Sequence, residues 1–264
     1  MRISVVAPSN SVSPQVPPRV QALAVARYGN AAPEIVFHPQ CFLSEGHFAG
    51  PDSARADALV EVANDPGFDA IWFGRGGYGA NRIAEAAIAR MGDAARAKTF
   101  LGYSDGGFLL AGLLANGIGR PVHGPMPSDI MRDGGDVAVA RALDWLIDPL
   151  PAPQPQVAFN LTVLSNLLGT PLEPDLAGRV LMIEEVAEEM YRIDRTLFHV
   201  TSSANVRSCA GIMLGRCAPI PDNTPEFAMS EEAVARHWCS VAGIAWLGRA
   251  NIGHDIDNAI IAFN

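Results

Sequence analysis

The chain has 264 residues, with 19 basic and 28 acidic side chains, a net charge of −9, and 49% hydrophobic and 18% charged content. This composition is that of a globular protein and excludes a disordered, collagen-like or coiled-coil chain. The acidic balance repels phosphate, so neither nucleic acid nor an anionic membrane is an expected partner.

The N-terminal half alternates strand-like and helix-like segments. Ile3 to Ala7 is a short apolar run that ends at Pro8, too short for a signal peptide. No run approaches the ~18 apolar residues of a membrane helix, and the chain reads as soluble and cytoplasmic. Pro17 and Pro18 open a helix whose apolar positions are Val20, Leu23, Ala24 and Ala26. Ile35-Val36-Phe37 is the next strand. Asp52 or Ser53 is placed to cap a helix with Ala56, Leu59, Val60 and Ala63 on one face. Ala70 to Phe73 and Phe100 to Gly102 read as strands, each followed by a helix, Ile83 to Met91 and Phe108 to Leu114. This alternation predicts right-handed crossovers and a mainly parallel sheet.

A helix through Val137, Ala140, Leu143 and Leu146 ends the first half. Four prolines between Pro149 and Pro155 then predict a stiff extended linker. The domains are accordingly placed at 1–148 and 160–264, with a linker at 149–159. In the second half, Leu161 to Leu168 reads as a helix and Arg179 to Ile183 as a strand. A helix with Tyr191, Ile193 and Leu197 follows, then a strand over Gly211 to Leu214. Ser230 is placed to cap a helix beginning at Glu231.

No metal or cofactor is expected. The cysteines Cys41, Cys209, Cys217 and Cys239 form no CxxC pair and read as free thiols, and the six histidines form no zinc-spaced cluster. Lys98, the only lysine, follows no glycine-rich run. Gly74, Gly76 and Gly79 satisfy G-x-G-x-x-G, but on a later βα unit, while the first βα turn lacks glycine, which disfavours a dinucleotide site.

Gly102-Tyr103-Ser104-Asp105-Gly106 matches G-x-S-x-G between an apolar strand and an apolar helix. Such a turn exposes the serine hydroxyl, and the next amide, on Asp105, starts a helix and can donate to an oxyanion. The loop Gly74 to Ala80 exposes further amides, with Gly77 as a second oxyanion donor. A nucleophilic serine needs a base and an orienting acid. Glu184 and Glu185 end the strand from Arg179, where ligands bind in α/β sheets. His254 follows a glycine near the C-terminus, His199 lies in a helical pattern, and His123 precedes Gly124-Pro125. From the residues alone, both acids could equally be solvated and His123 a loop residue.

Several segments in order resemble the serine LD-carboxypeptidase family, which comprises murein tetrapeptide carboxypeptidases and the related microcin-immunity peptidases. They are Val6-Ala7-Pro8-Ser9, the Gly74–Ala80 loop, Gly102-Tyr103-Ser104-Asp105, His123-Gly124-Pro125-Met126, Asn166 to Pro171, Ile183-Glu184-Glu185-Val186, Tyr191 to Arg195 and Gly253-His254. The resemblance implies a flavodoxin-like N-terminal domain, a smaller β-rich swivelling C-terminal domain and a homodimer. It implies Ser104 as nucleophile, His254 as base, Glu184 as orienting acid, and the Gly77 and Asp105 amides as oxyanion hole. The implied reaction removes the terminal D-alanine of a murein tetrapeptide during cytoplasmic peptidoglycan recycling. The microcin-immunity branch, which cleaves aminoacyl- or peptidyl-nucleotide amides, is the alternative, and a non-catalytic binding protein a more distant one. The acid pair is Glu184-Glu185 where the family usually has Glu-Asp, so the two acids compete for one role. Arg75 and Arg192 flank cleft segments and are the candidates for binding a substrate carboxylate.

Overall fold

A computed structural model describes all residues, 1–264. The first half builds β1 (Arg2–Val6), β2 (Glu34–Phe37), β3 (Ala70–Phe73), β4 (Thr99–Gly102) and β5 (Arg120–His123). The second half builds β6 (Gln156–Asn160), β7 (Val180–Glu185), β8 (Gly211–Cys217), β9 (Trp246–Arg249) and β10 (Ile261–Ala262). They form a six-stranded sheet in the order β10-β5-β4-β3-β1-β2 and a four-stranded sheet in the order β6-β7-β8-β9. Every pairing is parallel except β10 on β5. Strands β3 and β4 are buried at every position, as expected of central parallel strands covered by helices on both faces.

The helix Gly107–Ala115 directly follows the serine motif and reads GFLLAGLLA. A helix that is apolar all round has no face to give to solvent, so it lies inside the molecule. Its glycines mark where the second half of the chain comes close. A Cβ at Gly107 would lie 3.1 Å from Val163, and one at Gly112 would lie 2.7 Å from Leu172. One continuous core of 53 buried residues accordingly includes Phe73 and Phe100 from the first sheet and Ile183 and Leu214 from the second. A smaller cluster of 19 covers the other face of the first sheet.

Several sequence expectations change in detail. Pro51, in extended conformation, takes the N-cap position, and Asp52 is the first helical residue. Asp52 instead pairs with Arg55 and Arg82. The chain from Pro149 to Pro155 has no helix or strand, but β6 begins at Gln156, inside the stretch read as linker. Strands β5, β9 and β10 carry no clear pattern in the sequence. β5 is four residues with an arginine and a proline, and β10 is only two residues long. Ser230 does cap its helix, accepting from the Ala233 amide at 3.3 Å.

The last segment ties the two sheets together. Ile261 pairs with His123, and the Asn264 and Gln156 backbones are bonded at the start of β6. His123 is buried, and its Nε2 lies 3.0 Å from Asn258 Oδ1, which also accepts from the Gly253 amide at 3.2 Å. Burial holds the His123 pKa below its ordinary value. The unfolded chain therefore binds the extra proton first. This contribution to stability is complete above the ordinary histidine pKa of about 6.5 and is lost as pH falls below it. Denaturant midpoints measured between about pH 7 and pH 5 should show a smaller loss for His123→Gln than for the wild type. An equal loss would mean that this histidine is not the group responsible.

Candidate active site

Ser104 leaves the end of β4 with φ +57°, a left-handed conformation that costs a residue other than glycine about 1–2 kcal/mol. The residues around it hold this turn in place. Asp105 is buried, and its Oδ2 accepts from Ser9 Oγ at 2.5 Å and from the Ala80 amide at 2.8 Å. The carboxylate thus ties the turn to the end of β1 and to the start of the helix Ala80–Ile88. Burial pushes the Asp105 carboxyl up, against the pull of these donors. Gly76 lies close against the serine, and a Cβ there would stand 3.0 Å from Ser104 Oγ and crowd it.

His254 comes from the loop after β9 and reaches Ser104 across 150 residues of sequence. Its Nε2 lies 3.0 Å from Ser104 Oγ, and its Nδ1 lies 2.6 Å from Glu184 Oε2. Glu184 is the last residue but one of β7 and has no solvent exposure, and its other oxygen has no hydrogen-bond partner. Room for it comes from Gly215 on β8, where a Cβ would stand 2.9 Å from Glu184 Cβ. An imidazole held between a hydroxyl and a buried carboxylate is arranged to accept the hydroxyl proton and to be stabilised as the cation. The Tyr103 ring packs on the imidazole at a centroid distance of 4.9 Å.

The structure separates the two acids. Glu185 points away from His254 and accepts four hydrogen bonds, from Asn160 Nδ2 (2.7 Å), Thr162 Oγ1 (2.7 Å), the Thr162 amide (3.0 Å) and its neighbour Val186 (2.9 Å). It fastens the start of the helix Leu161–Leu167 to β7. Burial raises its carboxyl pKa.

Two lobes of a cleft share Ser104 and Gly77 as walls. One, of about 660 Å³, is lined by Asn81, Glu85, Asn166 and Glu188 and by no basic side chain. The other, of about 420 Å³, is lined by Arg75, Arg132 and His254. The Gly77 amide, at φ +121°, donates to no protein group, and Asp105 lies in the turn that begins at Ser104. A still larger cavity of about 720 Å³, bounded by Tyr28, Trp145 and Pro151, touches none of these residues.

Of the two arginine candidates, only Arg75 lines the cleft beside Ser104. Its one hydrogen bond is to the Ser11 carbonyl at 3.4 Å. Arg192 sits on the exposed side of its helix, pairs with Glu188 and Glu189 and lines a smaller pocket that adjoins the acidic lobe at Thr162, Asn166 and Glu188 but does not reach Ser104. His199 bonds Ser165 at the surface, and His123 supports the loop of His254. Arg132 was missed in the sequence because it follows a one-turn helix with no motif of its own.

Comparison with known proteins finds a family match in each half of the chain. Residues 3–124 match the LD-carboxypeptidase N-terminal domain, and residues 156–264 match the LD-carboxypeptidase C-terminal domain. A Bacillus subtilis protein described as "Probable murein peptide carboxypeptidase" is 32% identical over 230 residues, 79% of this chain and 71% of that one. The murein tetrapeptide carboxypeptidase of Pseudomonas aeruginosa is 25% identical over 80% of this chain and 76% of its own. In fold, the chain superposes on muramoyltetrapeptide carboxypeptidase from Oxalobacter formigenes with a TM-score of 0.84 at 22% identity, covering 99% of this chain and 92% of that one. It superposes on the microcin C7 self immunity protein MccF with a TM-score of 0.80 at 15% identity, covering 100% and 91%. The chain is a peptidase of the LD-carboxypeptidase family.

Proposed function

We propose that the protein is a serine-type LD-carboxypeptidase that removes the terminal D-alanine of a murein tetrapeptide, in cytoplasmic peptidoglycan recycling, as a homodimer. The observation that carries the chemistry is the hydrogen-bonded series Ser104–His254–Glu184, at 3.0 and 2.6 Å, opening on a two-lobed cleft. In the first step Ser104 Oγ attacks the carbonyl carbon of the scissile amide while His254 Nε2 takes its proton. The tetrahedral oxyanion lies against the amides of Gly77 and Asp105. His254 then gives the proton to the departing amine of D-alanine, leaving an acyl ester on Ser104. A water activated by the same imidazole hydrolyses the ester and restores the hydroxyl.

The two lobes support the choice of substrate. A terminal carboxylate suits the lobe with Arg75, and the free ammonium of a di-amino acid suits the lobe with Glu85 and Glu188. The relative named murein tetrapeptide carboxypeptidase supports the same substrate class. The resemblance to MccF is one of fold.

Ser104→Ala and His254→Ala should each lower kcat by a factor on the order of 10⁴–10⁶ in a protein that melts normally. Glu184→Gln should cost less, because this carboxylate supports the imidazolium without reacting. Glu185→Gln should lower the melting temperature more than kcat, since an amide cannot accept all four donors. A larger kcat loss for Glu185→Gln than for Glu184→Gln would reverse the assignment of the acid. Chromatographic assay should show D-alanine released from a murein tetrapeptide and little release of the amide when the terminal carboxylate is amidated. Equal rates on both peptides would end the carboxypeptidase reading, and cleavage of an aminoacyl-nucleotide alone would move the enzyme to the microcin-immunity branch.

A further inference from the structure

We propose that Arg132 is the specificity-determining residue that reads the terminal carboxylate of the substrate, and that the same guanidinium holds His254 in place, so that recognition of the carboxylate and alignment of the base share one side chain. This rests on the carboxypeptidase reading and names the group that makes it an exopeptidase.

Arg132 follows the short turn Pro127–Met131 and reaches the lobe lined by Ser104 and His254. Its Nε lies 3.1 Å from Asp129 Oδ1, its Nη2 lies 3.3 Å from Tyr103 Oη, and its Nη1 donates to the backbone carbonyl of His254. Two of the five guanidinium N–H groups thus donate hydrogen bonds, and Nε faces the Asp129 carboxyl in an ion pair. One remains on each terminal nitrogen, the pair with which an arginine fork grips a carboxylate. The engaged groups also prevent the side chain from swinging away, so little rotamer entropy is left to lose on binding.

The charge of Arg132 is only partly offset by its neighbour. Asp129 is buried and also accepts from Tyr103 Oη (2.9 Å) and the Met126 amide (2.8 Å). Burial pushes its carboxyl up, against the pull of Arg132. Arg75 adds a second guanidinium to the same lobe without any carboxylate partner, and the buried hydroxyl of Ser128 on its wall has no hydrogen-bond partner. Asp255, the residue after His254, is already held by Arg216 through two bonds. The opposite lobe offers a carboxylate no basic side chain. A substrate is therefore oriented by charge, with its free acid on the Arg132 side of Ser104.

The contact with the His254 carbonyl separates this role from simple packing. A residue that only supported His254 would affect every substrate alike. A carboxylate reader affects the free acid and spares the amide. The test measures kcat/KM for a tetrapeptide ending in D-alanine and for its C-terminal amide, with wild type, Arg132→Gln, Arg132→Lys and Arg75→Gln. Arg132→Gln should reduce the free-acid to amide ratio by about 10- to 100-fold, the range of one charge-assisted contact. Arg132→Lys, which keeps the charge but loses the fork, should recover part of that ratio, and Arg75→Gln should lower it less. A ratio unchanged while both rates fall would overturn the proposal.

A second measurement does not depend on the tetrapeptide. A fluorophosphonate probe should label Ser104, D-alanine should slow that labelling in the wild type, and D-alaninamide should not. Arg132→Gln should still be labelled, showing that it is folded, yet lose the protection by D-alanine. If that variant fails to fold, weakened protection in Arg132→Lys decides the question. Equal protection by D-alanine and its amide in the wild type would overturn the role of Arg132 while leaving the serine peptidase intact. Absence of labelling in the folded wild type would instead end the serine-peptidase reading, and this inference with it.

Discussion

A carboxylate without solvent exposure and with a single hydrogen-bond partner sets the terms for the site. Glu184 touches His254 through one oxygen and has no partner for the other. In so dry a place its interaction with an imidazolium is much stronger than it would be in water, and any movement of His254 leaves a buried acid uncompensated. The surrounding structure has to hold that histidine still. The Gly253 amide is bonded to Asn258, Asp255 to Arg216, and the carbonyls of Ile256 and Asn258 to Arg141, while Arg132 holds the His254 carbonyl itself. Each of these bonds fixes the backbone or a neighbour and leaves both ring nitrogens free for chemistry.

Keeping Glu184 dry requires that the two sheets share one interior. The helix after Ser104 is apolar on every side and is covered by the first sheet on one flank and by Val163 and Leu172 on the other. The terminal strand β10 then crosses back to β5, so the segment carrying His254 begins and ends in packed structure. Ser104, contributed by the first sheet, is therefore held against His254 and Glu184, contributed with the second. The strained backbone of Ser104 persists because Asp105 anchors the turn through Ser9 and Ala80.

The charges around the cleft follow the same economy of parts. Basic side chains line the lobe beside His254, and acidic ones line the lobe beyond Gly77. In a chain with nine excess negative charges, two guanidiniums stand beside Ser104, with the buried Asp129 carboxyl as the acidic group on the same lobe. Guanidiniums so placed favour a small anion at that end of the site.

What the sequence determined by itself was local. Apolar runs such as Ala70–Phe73, helix starts such as Ser230, and the serine between two glycines carry their structural instructions within a few residues, because backbone propensity, capping and turn sterics act over that range. The ordered set of short motifs then pointed to the family and to Glu184 before Glu185. Tertiary structure decided the rest. Which of two adjacent acids meets the imidazole depends on the alternation of side chains along β7 and on the space left by Gly215, neither of which is visible at positions 184 and 185. β5, β9 and β10 are too short or too polar to announce themselves, and they form because neighbouring strands supply their hydrogen bonds. Arg132 and the Asp105 carboxylate gain their roles from partners 122 and 96 residues away. Contacts at that separation depend on how the sheets pack, and a single sequence carries no local signal for them.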